Sequence, residues 1–128
     1  MKFALAALCL AASLSAQTPP AGKATPLMTK DLIGIAGKEA TMLTVDYAPG
    51  AESAEHRHNA STFVYVLEGS VVMQVKGGQA VTLKAGETFY ETPDDIHTVS
   101  KNASKTQPAK ILVVLVKDKG APATVPAK

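Results

Sequence analysis

The chain has one cysteine, one arginine and three histidines, and each scarcity removes a kind of chemistry. Cys9 sits inside the apolar N-terminal run, so cleavage of that run as a leader leaves a chain with no disulfide and no thiol nucleophile. Arg57 stands alone, and strand alternation turns it away from its two histidine neighbours, so no guanidinium fork for a carboxylate substrate is evident. Basic residues outnumber acidic ones by only 13 to 11, a formal charge of +2, and the lysines are scattered singly without aromatic interleaving. Nucleic acid is therefore not an expected partner. There is no glycine-rich phosphate loop, no internal repeat, and no convincing amphipathic helix beyond the N-terminal run.

The 128 residues, 46% of them hydrophobic, suffice for one globular domain with a single core. Lys2, the apolar stretch Phe3 to Leu14 and the small residues Ser13, Ser15 and Ala16 ahead of Gln17 read as a secretory leader over residues 1–16. The stretch is too short to span a bilayer. A periplasmic or secreted protein without stable membrane association is expected. Residues 17–37 open with QTPPAGKATP and read as a flexible arm, residues 119–128 as a flexible tail, and residues 38–118 as the domain.

That domain is a succession of short strand-like runs. Strands are expected at Glu39 to Tyr47, Glu55 to His58, Thr62 to Leu67, Val71 to Lys76, Ala80 to Lys84, Thr88 to Glu91, His97 to Ser100 and Ala109 to Val116. Pro49-Gly50, Gly69, Gly77-Gly78, Ala85-Gly86 and Pro93-Asp94 punctuate them. The spacing implies an all-β barrel or sandwich. In Thr62 to Leu67 both parities are apolar, with Thr62, Val64 and Val66 on one face and Phe63, Tyr65 and Leu67 on the other; Ile111 to Val116 repeats this. A second apolar face needs cover, and a homodimer would supply it.

The three histidines are His56, His58 and His97. In an extended strand residues i and i+2 share a face, so His56 and His58 can present two imidazoles side by side. The pattern around them is Gly50, five residues, His56-Arg57-His58, three residues, Thr62, six residues, Gly69; a second segment runs from Gly86 to His97, eleven residues on. These two segments resemble the two motifs of the cupin superfamily, over about residues 38 to 118. The resemblance implies a small jelly-roll β-barrel, with His56, His58 and His97 as ligands to a divalent metal. Thr62 occupies the position of the family's metal-binding glutamate. Thr92 and Asp94 replace the usual proline and glycine, Pro93 comes one place late, and Asn102 lies one place beyond the family asparagine.

Three neutral imidazoles suit Zn, Cu, Fe or Ni better than Mg or Ca, with Mn also among the candidate ions, and they leave at least one coordination position open. Such a centre can polarise a carbonyl, ionise a bound water or bind oxygen. The resemblance thus implies dioxygenase, isomerase or decarboxylase chemistry on a small organic molecule. Alternatives are a non-catalytic small-ligand or metal-binding cupin, and a metal-free cupin of the sugar-epimerase kind. Glu91 is the candidate for the missing carboxylate or for a general base, against the plainer reading of a surface residue at a strand end. Tyr65 and Tyr90 read as packing residues, and Met42 and Met73 as core fillers rather than copper ligands.

Overall fold

A computed structural model describes residues 17–128; the leader expected over residues 1–16, with Cys9, lies outside them. The eight expected strands are all present, with ends within two residues of those read from the sequence. In chain order the strands are β1 (Lys23–Asp31), β2 (Lys38–Tyr47), β3 (His56–Arg57), β4 (Ser61–Glu68), β5 (Ser70–Val75), β6 (Val81–Lys84), β7 (Thr88–Glu91), β8 (His97–Asn102), β9 (Ala109–Asp118) and β10 (Val125–Pro126). Among the described residues no helix is long and apolar enough to cross a membrane.

The strands form two five-stranded sheets, ordered β1-β2-β9-β4-β7 and β10-β3-β8-β5-β6, and every pairing is antiparallel. The expected jelly-roll barrel is therefore not formed. Closure needs a hydrogen-bonded ladder that runs continuously around the axis. Here the ladders stop at β1 and β7 in one sheet and at β10 and β6 in the other. Between sheets the chain passes through turns, such as Gly69 between β4 and β5 and Ala85 to Glu87 between β6 and β7. The all-β reading holds; the architecture is two open sheets.

Two strands lie in segments read from the sequence as flexible ends. In β1 every side chain is exposed, so its sequence carries no alternation, yet its backbone pairs with β2 from Lys23↔Asp46 to Asp31↔Glu39. Pro26 falls at the irregularity in this ladder, where a missing N–H is tolerated. In the tail, β10 pairs with β3 through Val125↔Arg57 and Pro126↔His56.

The core lies between the sheets. On β4 and β9 the register Thr62↔Leu115, Val64↔Val113, Val66↔Ile111 sets three rows facing inward, met from the other sheet by Val71 and Met73. Each such side chain contributes about 1.5–3 kcal/mol on full burial. Met73 is a core filler as expected, whereas Met42 is only half-buried and pairs with Val114. On the outer face Phe63, Tyr65, Leu67 and Tyr90 remain exposed, and the Phe63 and Tyr90 rings lie 5.1 Å apart. At the far end of β2 and β9, Glu39 and Lys117 are cross-strand partners and form a buried ion pair; the Gly120 N–H also donates to Glu39 at 3.1 Å.

Candidate metal centre

His56 and Arg57 form the whole of β3, because only two residues fit between the loop after β2 and the turn that leads into β4. Asn59 makes that turn with φ of 48°, a left-handed conformation that asparagine tolerates. His97 opens β8 directly opposite His56, so two of the three rings meet as a cross-strand pair with centroids 5.0 Å apart. His58 closes the group at 4.7 Å from His56 and 6.4 Å from His97. One nitrogen from each ring can be chosen so that all lie within 4.8 Å of one another. The ring faces at i and i+2 thus converge as the spacing implies, although the strand that carries them is shorter than expected.

Hydrogen bonds fix two of the rings. His56 Nδ1 lies 2.7 Å from the Ala54 carbonyl and His58 Nδ1 lies 2.7 Å from the Ala123 carbonyl. A carbonyl oxygen can only accept, so both Nδ1 atoms carry the proton and both Nε2 atoms present lone pairs. Those Nε2 atoms lie 3.2 Å apart, the separation of adjacent ligands on an ion with metal–nitrogen bonds of about 2.1 Å. Burial, which disfavours the charged ring, holds His56 below its ordinary pKa and so in the neutral form a metal requires.

Glu91 ends β7 and is 2% exposed, so the reading of a surface strand-end glutamate does not hold. Its Oε1 lies 3.2 Å from His97 Nδ1 and its Oε2 lies 3.8 Å from His58 Nε2. The strand ladder explains its place: Glu91 pairs directly with Thr62 across β4 and β7. Thr62 is fully buried, and its hydroxyl donates only a long bond of 3.4 Å to the Ala60 carbonyl. The carboxylate therefore enters the cluster from the strand beside the one on which the family pattern puts it. Strand alternation could not reveal this, because the turn from Thr92 to Ile96 interrupts the parity between Glu91 and His97.

Both Glu91 oxygens and both His97 nitrogens are buried without a well-formed hydrogen bond, the 3.2 Å contact between them being out of line. Buried polar atoms are nearly always paired or coordinate a metal. Three imidazoles and a carboxylate with unsatisfied lone pairs make a nitrogen- and oxygen-rich donor set, which fits a divalent transition ion. His56, His58 and His97 could hold it, with Glu91 at their side.

The cluster faces a cleft of about 610 Å³ between the sheets. Leu43, Val45, Val64, Ile111 and Val113 line it, and it is bordered by Ala21, Gly22, Ala24 and Pro26 and by the C-terminal segment Ala123 to Pro126. Among the described residues no lysine or arginine lines it, Arg57 included. Tyr47, Ser53 and Ser100 also reach its lining: the Tyr47 hydroxyl lies 2.7 Å from Ser100 Oγ and 3.1 Å from Ser53 Oγ. Nothing in the local sequence pattern marked this trio. Tyr65 and Tyr90 stay outside the cleft on the outer face. Asn102 is structural, its side-chain amide donating to the carbonyls of Ala48 and Gln107 and so joining two turns.

The chain is thus an all-β two-sheet protein that gathers three histidines, His97 buried and His56 and His58 half-buried. The family model described as Cupin domain matches residues 43–115, and the chain belongs to that family. A 70-residue stretch is 34% identical to Oryzines biosynthesis cluster protein J of Aspergillus oryzae, covering 55% of this chain and 38% of the fungal protein. Among solved structures, a cupin domain from Bordetella pertussis aligns with a TM-score of 0.62 at 18% identity, over 79% of this chain and 98% of that one. A Thermus thermophilus protein aligns at 0.60 and 25% identity, over 81% and 90% of the two chains. The DMSP lyase DddQ of Ruegeria pomeroyi aligns at 0.64 and 18%, over 84% of this chain and 52% of the lyase.

Proposed function

We propose that this cupin binds one divalent transition metal (Zn, Cu, Fe, Ni or Mn) through His56, His58 and His97, and acts on a small, largely apolar organic molecule. The observation that carries this reading is the buried Glu91 carboxylate beside the three imidazoles, with four polar atoms unsatisfied. Glu91 takes the part that Thr62 cannot, because a neutral hydroxyl is a poor ligand for a divalent cation. Bound there, the metal would supply Lewis acidity and an open coordination position for substrate or oxygen.

The chain's own residues define the rest. The cleft volume falls within the range of small-molecule sites, and its largely aliphatic walls suit an apolar body. With no lysine or arginine among the described lining residues, a carboxylate on the substrate has only the metal end as a positive partner, while the hydroxyls of Tyr47, Ser53 and Ser100 can hydrogen-bond a carbonyl or hydroxyl group. Glu91, set beside that end, is the group placed to accept a proton from the bound molecule. Dioxygenase-like chemistry is our first choice, ahead of isomerisation or decarboxylation. The name of the Aspergillus oryzae relative, a biosynthesis cluster protein, supports chemistry on a small molecule. A buried carboxylate in the cluster favours catalysis over a non-catalytic binding cupin. The protein works as an exported homodimer: residues 1–16 serve as the leader, and the exposed face of Phe63, Tyr65, Leu67 and Tyr90 meets a second copy.

Elemental analysis of protein from its own compartment, followed by an oxygen-uptake screen of small phenolic and keto compounds, tests the reading. Stoichiometric metal with turnover that Glu91→Gln removes supports it. Turnover in fully metal-free protein overturns it.

A further inference from the structure

We propose that the C-terminal segment, residues 121–128, is a positioning strap for the metal centre, in which the Ala123 carbonyl sets the tautomer and direction of His58. The inference rests on the metal reading above and assigns a part to a segment whose composition suggests a loose tail.

His58 is the ligand with the least support from its own neighbourhood. It lies one residue beyond the end of β3 and just before the left-handed Asn59. His56 is held by a carbonyl two residues away and His97 by the β8 ladder, whereas the anchor of His58 comes from 65 residues along the chain. That anchor is a 2.7 Å bond from Nδ1–H to the Ala123 carbonyl, with Thr124 Oγ1 at 3.5 Å from the same nitrogen. It leaves the Nε2 lone pair facing His56 Nε2 at 3.2 Å and Glu91 Oε2 at 3.8 Å. Were the proton on Nε2 instead, the ring could not ligate through that atom.

The segment is seated at both ends. Gly120, with φ of 77°, turns the chain after β9, and its N–H donates to the Glu39 carboxylate, itself paired with Lys117. At the other end Val125 and Pro126 pair with Arg57 and His56. Between these points Ala121, Ala123 and Val125 are half-buried while Pro122, Thr124 and Pro126 are exposed. The half-buried face packs against the molecule, the segment borders the cleft through Ala123 to Pro126, and Ala123 presents its carbonyl to His58. Outer-shell partners of ligating histidines typically change metal affinity by about 10–100-fold when lost.

The test compares the full chain with one ending at Gly120, and with Val125→Gly, a milder variant that removes a seating side chain. Two readouts are taken. Imidazole ¹⁵N–¹H correlation spectra of metal-free protein at mildly alkaline pH should show His58 as the Nδ1–H tautomer in the full chain and as a mixture in the truncated one. Zinc competition titration should show affinity falling by about 10–100-fold on truncation, with a smaller loss in Val125→Gly. An Nε2–H tautomer in the full chain, or unchanged tautomer and affinity after truncation, overturns the strap. If circular dichroism shows that truncation unfolds the protein, Val125→Gly carries both readouts. If the full chain takes up no zinc, the metal reading fails while the spectra still decide the strap.

Discussion

The carboxylate beside the three histidines sits directly across a strand ladder from Thr62. Thr62 and Glu91 are directly opposed on β4 and β7, where paired Cβ atoms lie about 4.5–5.5 Å apart. A carboxylate from either position can enter the same space. Glu91→Ala should therefore lose metal affinity, and the double variant Thr62→Glu, Glu91→Ala should recover it, as read by zinc competition titration. Failure of the double variant to bind better than Glu91→Ala would separate Glu91 from the ligand set. The histidines could be read from sequence because i and i+2 on an extended chain share a face whatever the tertiary fold. Glu91 could be suspected but not placed, since its partner and its burial depend on pairing across strands that are 29 residues apart at Ser61 and Tyr90. The Ala54 and Ala123 carbonyls left no trace at all, as every residue has a carbonyl.

Among the elements, β2 and β9 carry the longest ladder, ten residues each, and their far end holds Glu39, Lys117 and Gly120. The hydrogen bond from Lys117, followed by that from Gly120, holds the Glu39 carboxyl below its ordinary value of 4.5. In the unfolded chain Glu39 takes up its proton near that value, and in the folded chain only at lower pH. Its contribution to stability is thus present above the unfolded pKa and lost as pH falls through the folded one. Glu39→Gln should lower the melting temperature at neutral pH and flatten the acid limb below about pH 4.5 in a thermal-melt series. An unchanged acid limb would contradict this. The turn between β4 and β5 makes a second check. Gly69 has φ of 69°, and a Cβ there would come within 2.4 Å of the Pro108 carbonyl oxygen. Gly69→Ala should cost more than about 1 kcal/mol in urea unfolding. Runs of apolar and β-branched residues between turn residues made β2, β4 and β9 legible; β1 and β10 were not, because β1 is held by backbone pairing and surface side-chain bonds with its side chains exposed, and β10 is only two residues long.

For the whole molecule, the two sheets remain open, and their edge strands β1 and β10 both border the cleft. Strand spacing cannot distinguish a closed ladder from two sheets joined by turns, which is why the barrel was expected and not found. The outer face has a consequence for assembly. Phe63 is 51% exposed and Tyr65 44%, beside Tyr90 and Leu67, an apolar surface of the kind that marks a contact site. Light scattering at micromolar concentration should give a dimer, and Phe63→Glu should give a monomer with the same metal content. A monomeric parent chain would show that this face needs no partner.

A metal held by this protein requires the three imidazoles to act as one site. Losing one imidazole leaves two beside the Glu91 carboxylate, a reduced donor set that holds an ion less tightly against solvent. The direct measurement is an equilibrium zinc titration of metal-free protein beside His56→Ala, His58→Ala and His97→Ala, each checked for β-type circular dichroism. One tightly bound ion per parent chain, and no stoichiometric binding in any of the three variants, is the expected result. Full occupancy in a folded variant, or none in the parent chain, would contradict it.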